Sequence, residues 1–352
     1  MTADPPRLQR GQTARLFLSS VVLFSGCGVA AAFVSPAERP VRAPVVESAP
    51  AEPIGVERIA TESTTTSTVP STTVADVRPE IEPAYTVRVD EAIVYGSGAT
   101  EAGPVELLLD LYLPVDGAGA DRIADQPAAV LVHGGGFTQG TRSNDGLPEL
   151  ATTLASHGIV TVSIDHRLAG DQPIVSTTEL SDYFAGLDPS TVDPWLAEPD
   201  VVAAAIEDTL LAAGWLVEQG VDPDRLVLGG SSAGAIASLY AAHLADDAGL
   251  DSPDVAAVIS LWGGYTLTPG LAEPLDADDA PMWAVHGTDD PIVSFDYASV
   301  MAWRGASVGT EVVMHALDGF GHGFPAIDLW TDRTEDDEVL IDDLIAFLRR
   351  HA

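Results

Sequence analysis

Ser232 stands in the run Gly230-Ser231-Ser232-Ala233-Gly234, and a serine framed in this way by glycines suits nucleophilic chemistry. A serine hydroxyl attacks well only when an adjacent imidazole takes its proton. That imidazole needs a carboxylate to fix its tautomer and to stabilise its positive charge. The chain offers a carboxylate in His286-Gly287-Thr288-Asp289-Asp290-Pro291, as Asp289 or Asp290, and an imidazole in Asp318-Gly319-Phe320-Gly321-His322-Gly323-Phe324. Far upstream, His133-Gly134-Gly135-Gly136-Phe137 is a loop of backbone N–H groups of the kind that receives a developing oxyanion. Together these are the parts of an acyl-transfer catalyst, in the chain order Ser, Asp, His.

Such parts work only if regular elements hold them. The apolar run Arg225-Leu226-Val227-Leu228-Gly229 before Ser232 and the alanine-rich stretch after it predict strand, sharp turn and helix. Glycines two before and two after the serine suit that turn, where side chains would meet the neighbouring strand and helix. Alternating apolar runs predict antiparallel opening strands at 85–95 and 105–113. Parallel strands are predicted at 129–132, 160–164, 226–228, 256–261, 282–285 and 312–317. Helices are predicted over 147–157, 199–219, 233–245, 296–304 and 337–350. Strand alternating with helix means an α/β fold with a mostly parallel central sheet flanked by helices. The segment 168–198, rich in Asp, Pro and aromatics including Tyr183, Phe184 and Trp195, breaks the alternation. A short lid over the site is the expectation there.

Of the eight histidines, His322 alone sits in a glycine-flanked loop after the last strand, which makes it the candidate base. His133 is expected to hydrogen-bond and hold its own loop, and Gly134 to serve the turn. Phe137, Trp262, Tyr265 and Phe324 follow strand ends or flank the candidate triad, and are the candidate substrate-binding residues.

With these motifs in place, the chain resembles the α/β-hydrolase superfamily over about residues 85–350, in its elbow, its glycine loop and its Ser, Asp, His order. It is most similar to small bacterial carboxylesterases with an H-G-G-G-F loop, related to hormone-sensitive-lipase-like and acyl-polysaccharide esterases. Supporting matches are Leu109-Asp110-Leu111-Tyr112-Leu113-Pro114, Ile164-Asp165-His166-Arg167-Leu168 and Asp222-Pro223-Asp224-Arg225. His166 stands where the hormone-sensitive-lipase group usually has Tyr, and Ser231 where it usually has an acidic residue. The resemblance implies Asp290 as the acid, third after Gly287 and followed by Pro291 and Ile292. It implies an oxyanion hole from the backbone N–H groups of Gly135, Gly136 and Ala233. It also implies a serine hydrolase of carboxylic esters, acting on a small or polymer-linked ester with no cofactor and no metal. Ser231, beside the nucleophile, is expected to tolerate replacement by alanine.

Composition narrows the partners. There are 53 acidic and 16 basic residues, so 16 − 53 gives a net charge of −37, and every basic residue is Arg. A surface so negative repels nucleic acid and anionic lipid headgroups, and is read as a solubility- or salt-adapted surface. The acidic run Asp276-Ala277-Asp278-Asp279 lacks the ligand spacing of a calcium loop. Oligomeric state leaves no mark in the sequence.

Residues 1–34 form a separate unit in the sequence. Arg7, Arg10 and Arg15 precede an apolar stretch from Leu16 to Val34, as in a signal peptide or membrane anchor. Three modes stand open. Phe24-Ser25-Gly26-Cys27 resembles a lipobox with Cys27 as the acylated residue. Ala30-Ala31-Ala32 suits cleavage and secretion. The stretch would also span about 28 Å uncleaved. Each mode predicts an extracytoplasmic enzyme, membrane-anchored or secreted, whose only link to a membrane is this segment. Cys27 is the only cysteine, so a disulfide within the chain is excluded. Residues 35–83, rich in Pro, Thr, Ser, Ala and Glu, read as a disordered linker, which leaves 84–352 as the folded domain. Two other classes share these marks: a peptidase or acyltransferase on the same fold, and a non-catalytic adhesion or binding module. Retention of Ser232, Asp290 and His322 together argues against the second.

Overall fold

The computed structural model describes residues 82–116, 123–124, 126–144, 146–186, 199–244, 248–250, 252–266 and 275–352. Residues 1–34 with Cys27, all of the 35–83 linker except Glu82 and Pro83, and the second part of the expected lid, 187–198 with Trp195, lie outside the described residues. The described residues fall within one compact unit.

Eight strands form one sheet in the order β1-β2-β4-β3-β5-β6-β7-β8. They are β1 (Thr86–Gly98), β2 (Val105–Val115), β3 (Ala128–Val132), β4 (Val160–Ile164), β5 (Leu226–Ser231), β6 (Ala257–Leu261), β7 (Met282–Gly287) and β8 (Val312–Leu317). β1 and β2 pair antiparallel, β2 and β4 pair antiparallel, and every pair from β4 through β8 is parallel. The helices are α1 (Leu147–Ser156), α2 (Thr178–Ala185), α3 (Pro199–Glu218), α4 (Ala233–His243), α5 (Phe295–Val308) and α6 (Leu340–His351). This is an α/β-hydrolase fold.

The parallel strands are continuous apolar runs because helices cover both faces of the sheet. Alternation along β3 shows how one strand serves both. Ala128, Val130 and Val132 join a core with Ile206 of α3 and Ile236 of α4, while Ala129 and Leu131 join a second core with Leu150 of α1 and Leu344 of α6. Since each fully buried aliphatic side chain contributes about 1.5–3 kcal/mol, these two layers fix the sheet. The loops at the carboxyl ends of the parallel strands inherit that rigidity.

Residues 168–186 are the described part of the segment read as a lid. Residues 178–185 form α2, whose Leu180 and Phe184 are buried, with the Phe184 ring edge-on to Tyr240 of α4 at 5.8 Å. Upstream, Pro173 bridges to Thr100, and the Ile174 carbonyl accepts from the Arg167 guanidinium at 2.9 Å. This described part thus packs through Phe184 against α4 and through Pro173 against the turn between β1 and β2.

Candidate active site

Three strand ends bring the candidate chemistry together. β5 carries the chain to Ser231, and Ser232 turns it into α4 with φ 52° and ψ −118°, a left-handed conformation that costs energy outside glycine. The flanking glycines are required by close approach. A Cβ on Gly230 would lie 2.3 Å from the Val132 carbonyl oxygen, and one on Gly234 would lie 2.1 Å from the same atom. The Ser232 N–H donates to the Leu261 carbonyl at 2.9 Å, which ties the turn to β6.

The acid and the base come from two loops that are bound to each other. After β7 the Thr288 N–H donates to the Leu317 carbonyl and the Asp289 N–H to the Phe320 carbonyl, both at 3.0 Å. This brace brings His322 to Asp290. His322 Nδ1 is 2.6 Å from Asp290 Oδ2, and His322 Nε2 is 2.9 Å from Ser232 Oγ. A carboxylate only accepts, so Nδ1 carries the proton and Nε2 presents its lone pair to the serine hydroxyl. Asp289, the other candidate acid, is exposed. Asp290 is wholly shielded, and its Oδ1 accepts from the N–H groups of Ile292 at 2.8 Å and Val293 at 3.0 Å. Burial alone would push its pKa up; hydrogen bonds from His286, His322 and the Ile292 N–H outweigh burial and hold the carboxyl well below the usual carboxylate range.

Opposite Ser232 lies the glycine loop after β3. Gly135 and Gly136 adopt φ 114° and 61°, and a Cβ on Gly135 would fall 2.0 Å from the Gln139 carbonyl oxygen. His133 Nδ1 donates to the Gly134 carbonyl at 2.6 Å. Because that carbonyl and the Gly135 N–H belong to one peptide plane, the bond also sets where the Gly135 N–H points. Beneath the loop, the His133 ring stacks on His166 with centroids 4.4 Å apart. The chain that follows the loop is fastened by Arg142, which reaches Asp110 at 2.8 Å and Asp165 at 2.6 Å. Ala233, at the N-terminus of α4, is fully buried directly behind Ser232.

A cavity of about 500 Å³ opens over Ser232, walled by Gly134, Gly135, Gly136, Thr138, Gln139, Ser231, Trp262, Ile292, His322, Gly323 and Phe324. Of the four aromatic candidates, Trp262 and Phe324 lie in this wall, with their rings edge to face at 4.7 Å. Phe137 and Tyr265 do not. The Phe137 side chain turns into the core against His166, and Tyr265 is fully buried with its hydroxyl on His243 Nδ1 at 2.5 Å. Both follow strand ends, but each packs behind the cavity.

Three features escaped the sequence reading. Ser231 Oγ accepts from the Gly134 N–H at 3.1 Å, joining elbow to glycine loop across 97 residues. Thr138 and Gln139 border the cavity without any motif to mark them, and Ile292, noted only as following the acid candidate, borders it too. His286 reaches the acid, with Nε2 3.2 Å from Asp290 Oδ2; its spacing four residues before Asp290 was the available signal.

The comparisons agree with this architecture. A family described as having the alpha/beta hydrolase fold matches residues 196–277. The chain is 29% identical over 212 residues to carboxylesterase NlhH of Mycobacterium tuberculosis, a match covering 53% of this chain and 58% of that protein. It is 29% identical over 167 residues to esterase LipI of the same organism, covering 44% of this chain and 41% of that protein. The chain therefore spans only about half the length of these relatives. Among solved structures, the apo form of Thermogutta terrifontis esterase 2 aligns with a TM-score of 0.52 at 22% identity, over 77% of this chain and 96% of that one. The tabun-phosphoramylated form of that esterase gives 0.54 at 22% identity, over 75% and 94%. At such identity the likeness concerns the fold.

Proposed function

We propose that the chain is a carboxylesterase/lipase-like member of the α/β-hydrolase superfamily and a serine hydrolase that cleaves carboxylic esters through an acyl-Ser232 intermediate. The observation that carries this reading is the position of His322, bridging Asp290 at 2.6 Å and Ser232 at 2.9 Å beneath an open cavity.

The chemistry follows from that geometry. His322 Nε2 takes the Ser232 proton as Oγ attacks the ester carbonyl carbon. Asp290 stabilises the imidazolium that results. The tetrahedral oxyanion is received by the N–H groups of Gly135, Gly136 and Ala233, whose donor positions are set before substrate arrives. Collapse expels the alcohol, which takes the proton from His322. Water then repeats the sequence on the acyl-Ser232 ester, releasing the acid and restoring the serine. Trp262 and Phe324 give the cavity an apolar wall beside the triad, in keeping with a small or polymer-linked ester substrate.

The N-terminal readings complete the proposal: residues 1–34 export the enzyme, 35–83 tether it, and 84–352 hold the site outside the cytoplasm, anchored or secreted. The arginine flank and apolar run support export. Cys27→Ala separates the modes, because loss of lipid labelling and membrane retention follows only from acylation there.

Turnover tests the reading directly. The purified chain should hydrolyse an acyl ester series, and Ser232→Ala should reduce kcat by several orders of magnitude with the fold intact. Retention of more than about a tenth of wild-type kcat would remove Ser232 from its role.

A further inference from the structure

We propose that His286 is a positioning residue for the triad acid, sharing its Nε2 proton with Asp290 and thereby setting how strongly that carboxylate pulls on His322. The inference rests on the triad reading given above.

His286 is the penultimate residue of β7 and is buried, at 1% exposure. Its Nε2 lies 2.9 Å from the Val293 carbonyl oxygen and 3.2 Å from Asp290 Oδ2. A carbonyl only accepts, so Nε2 carries the proton. Nδ1 is buried without a partner among the described residues, which agrees with that tautomer. A single N–H thus bonds the loop backbone and stands beside the acid.

The Asp290 side chain, with no exposure to water, accepts three hydrogen bonds, from the Ile292 and Val293 N–H groups on Oδ1 and from His322 Nδ1 on Oδ2, and His286 Nε2 stands 3.2 Å from Oδ2 as a fourth neighbour. With His286 Nε2 beside Oδ2, these neighbours fill about the four acceptor sites of a carboxylate, which holds Oδ2 aimed at His322. The two imidazoles also compete for the charge on one oxygen. A carboxylate that gives part of its charge to His286 stabilises protonated His322 less, because the attraction between the groups depends on that charge. Few other groups intrude. His322 faces the acid from its loop, the Phe295 ring of α5 lies edge-on to His286 at 5.9 Å, and Asp289, Asp296 and Asp318 are exposed.

The test compares His286→Phe, which fills the space without a donor, with His286→Gln, which keeps a side-chain N–H. Loss of one hydrogen bond to an ionised group corresponds to about tenfold or more. In His286→Phe, kcat should fall by about that factor with KM within about twofold, and the acid limb of the kcat/KM profile should move to higher pH by about half a unit, as His322 gains the full pull of Asp290. His286→Gln should recover most of both. The imidazole resonances of His322 should titrate at correspondingly higher pH in His286→Phe, a readout that needs no turnover and survives failure of the esterase reading. If the Phe variant does not fold, His286→Asn, too short to reach Asp290, takes its place. An unmoved acid limb and an unmoved His322 titration would overturn the proposal, even if kcat falls, because a purely structural role predicts that result.

Discussion

The Gly134 N–H donates to Ser231 Oγ at 3.1 Å, so the glycine loop and the elbow are joined at their bases by a buried hydrogen bond. Gly134 also packs within a Cβ radius of this turn: an added Cβ would lie 2.9 Å from the Ser231 carbonyl oxygen and 3.0 Å from Ser232 Cβ. Ser232 and the glycine loop are therefore tied to each other by a contact between residues distant in sequence.

That contact revises the expectation that Ser231 is dispensable. Ser231→Ala leaves a buried N–H without its acceptor, at a cost of about 1–3 kcal/mol. We expect kcat to fall about tenfold, with KM nearly unchanged and the fold retained, measured with a chromogenic ester and by thermal denaturation. Wild-type kcat in Ser231→Ala would mean that the glycine loop holds its place without the clamp.

Asp290 and Asp289 separate cleanly. Asp290→Asn removes the acceptor of His322 Nδ1 and should lower kcat by about 10⁴-fold, as a wrong imidazole tautomer does. Asp289→Asn alters an exposed side chain and should stay within about twofold of wild type, the small effect of a surface change. Reversed ranking in steady-state kinetics would move the acid to Asp289.

Acid should weaken the fold through a histidine outside the site. Burial pushes the His243 pKa down to about 4, against weaker upward pulls from the Ala280 carbonyl and Asp276. An unfolded chain, with its histidine near 6.5, binds the proton first, so this contribution is complete above about pH 6.5 and is lost as pH falls towards the folded value. The loss amounts to roughly 3 kcal/mol. Chemical denaturation from pH 7 to 4.5 should show a steeper decline for wild type than for His243→Gln. Parallel declines would place the acid sensitivity elsewhere.

The sequence was most legible where one local pattern sufficed. The β8 expectation, 312–317, matches the strand residue for residue, and the Ser, Asp, His order was readable from glycine-flanked loops. The prediction for β5 stopped at Leu228, whereas the strand runs to Ser231 because Gly229 and Ser231 pair with Ile259 and Leu261; tertiary pairing overrides the poor strand propensity of glycine. α2 went unread because eight residues amid Asp and Pro give too short a periodic signal, and its helicity follows from burying Leu180 and Phe184. Phe137 and Tyr265 could not be told from Trp262 and Phe324, because position after a strand end does not say which way a ring turns. Ser231 and His286 make contacts that only the folded chain creates.

The central claim is that Ser232 Oγ is the atom that becomes acylated, and covalent trapping tests it most directly. A fluorophosphonate, which mimics the tetrahedral intermediate, should label the chain once, and peptide mapping by mass spectrometry should place the label on Ser232. Labelling should vanish in Ser232→Ala and become far slower in His322→Ala. A label on Ser231 or on any other residue, or ester turnover that persists when Ser232 is blocked, would contradict the account.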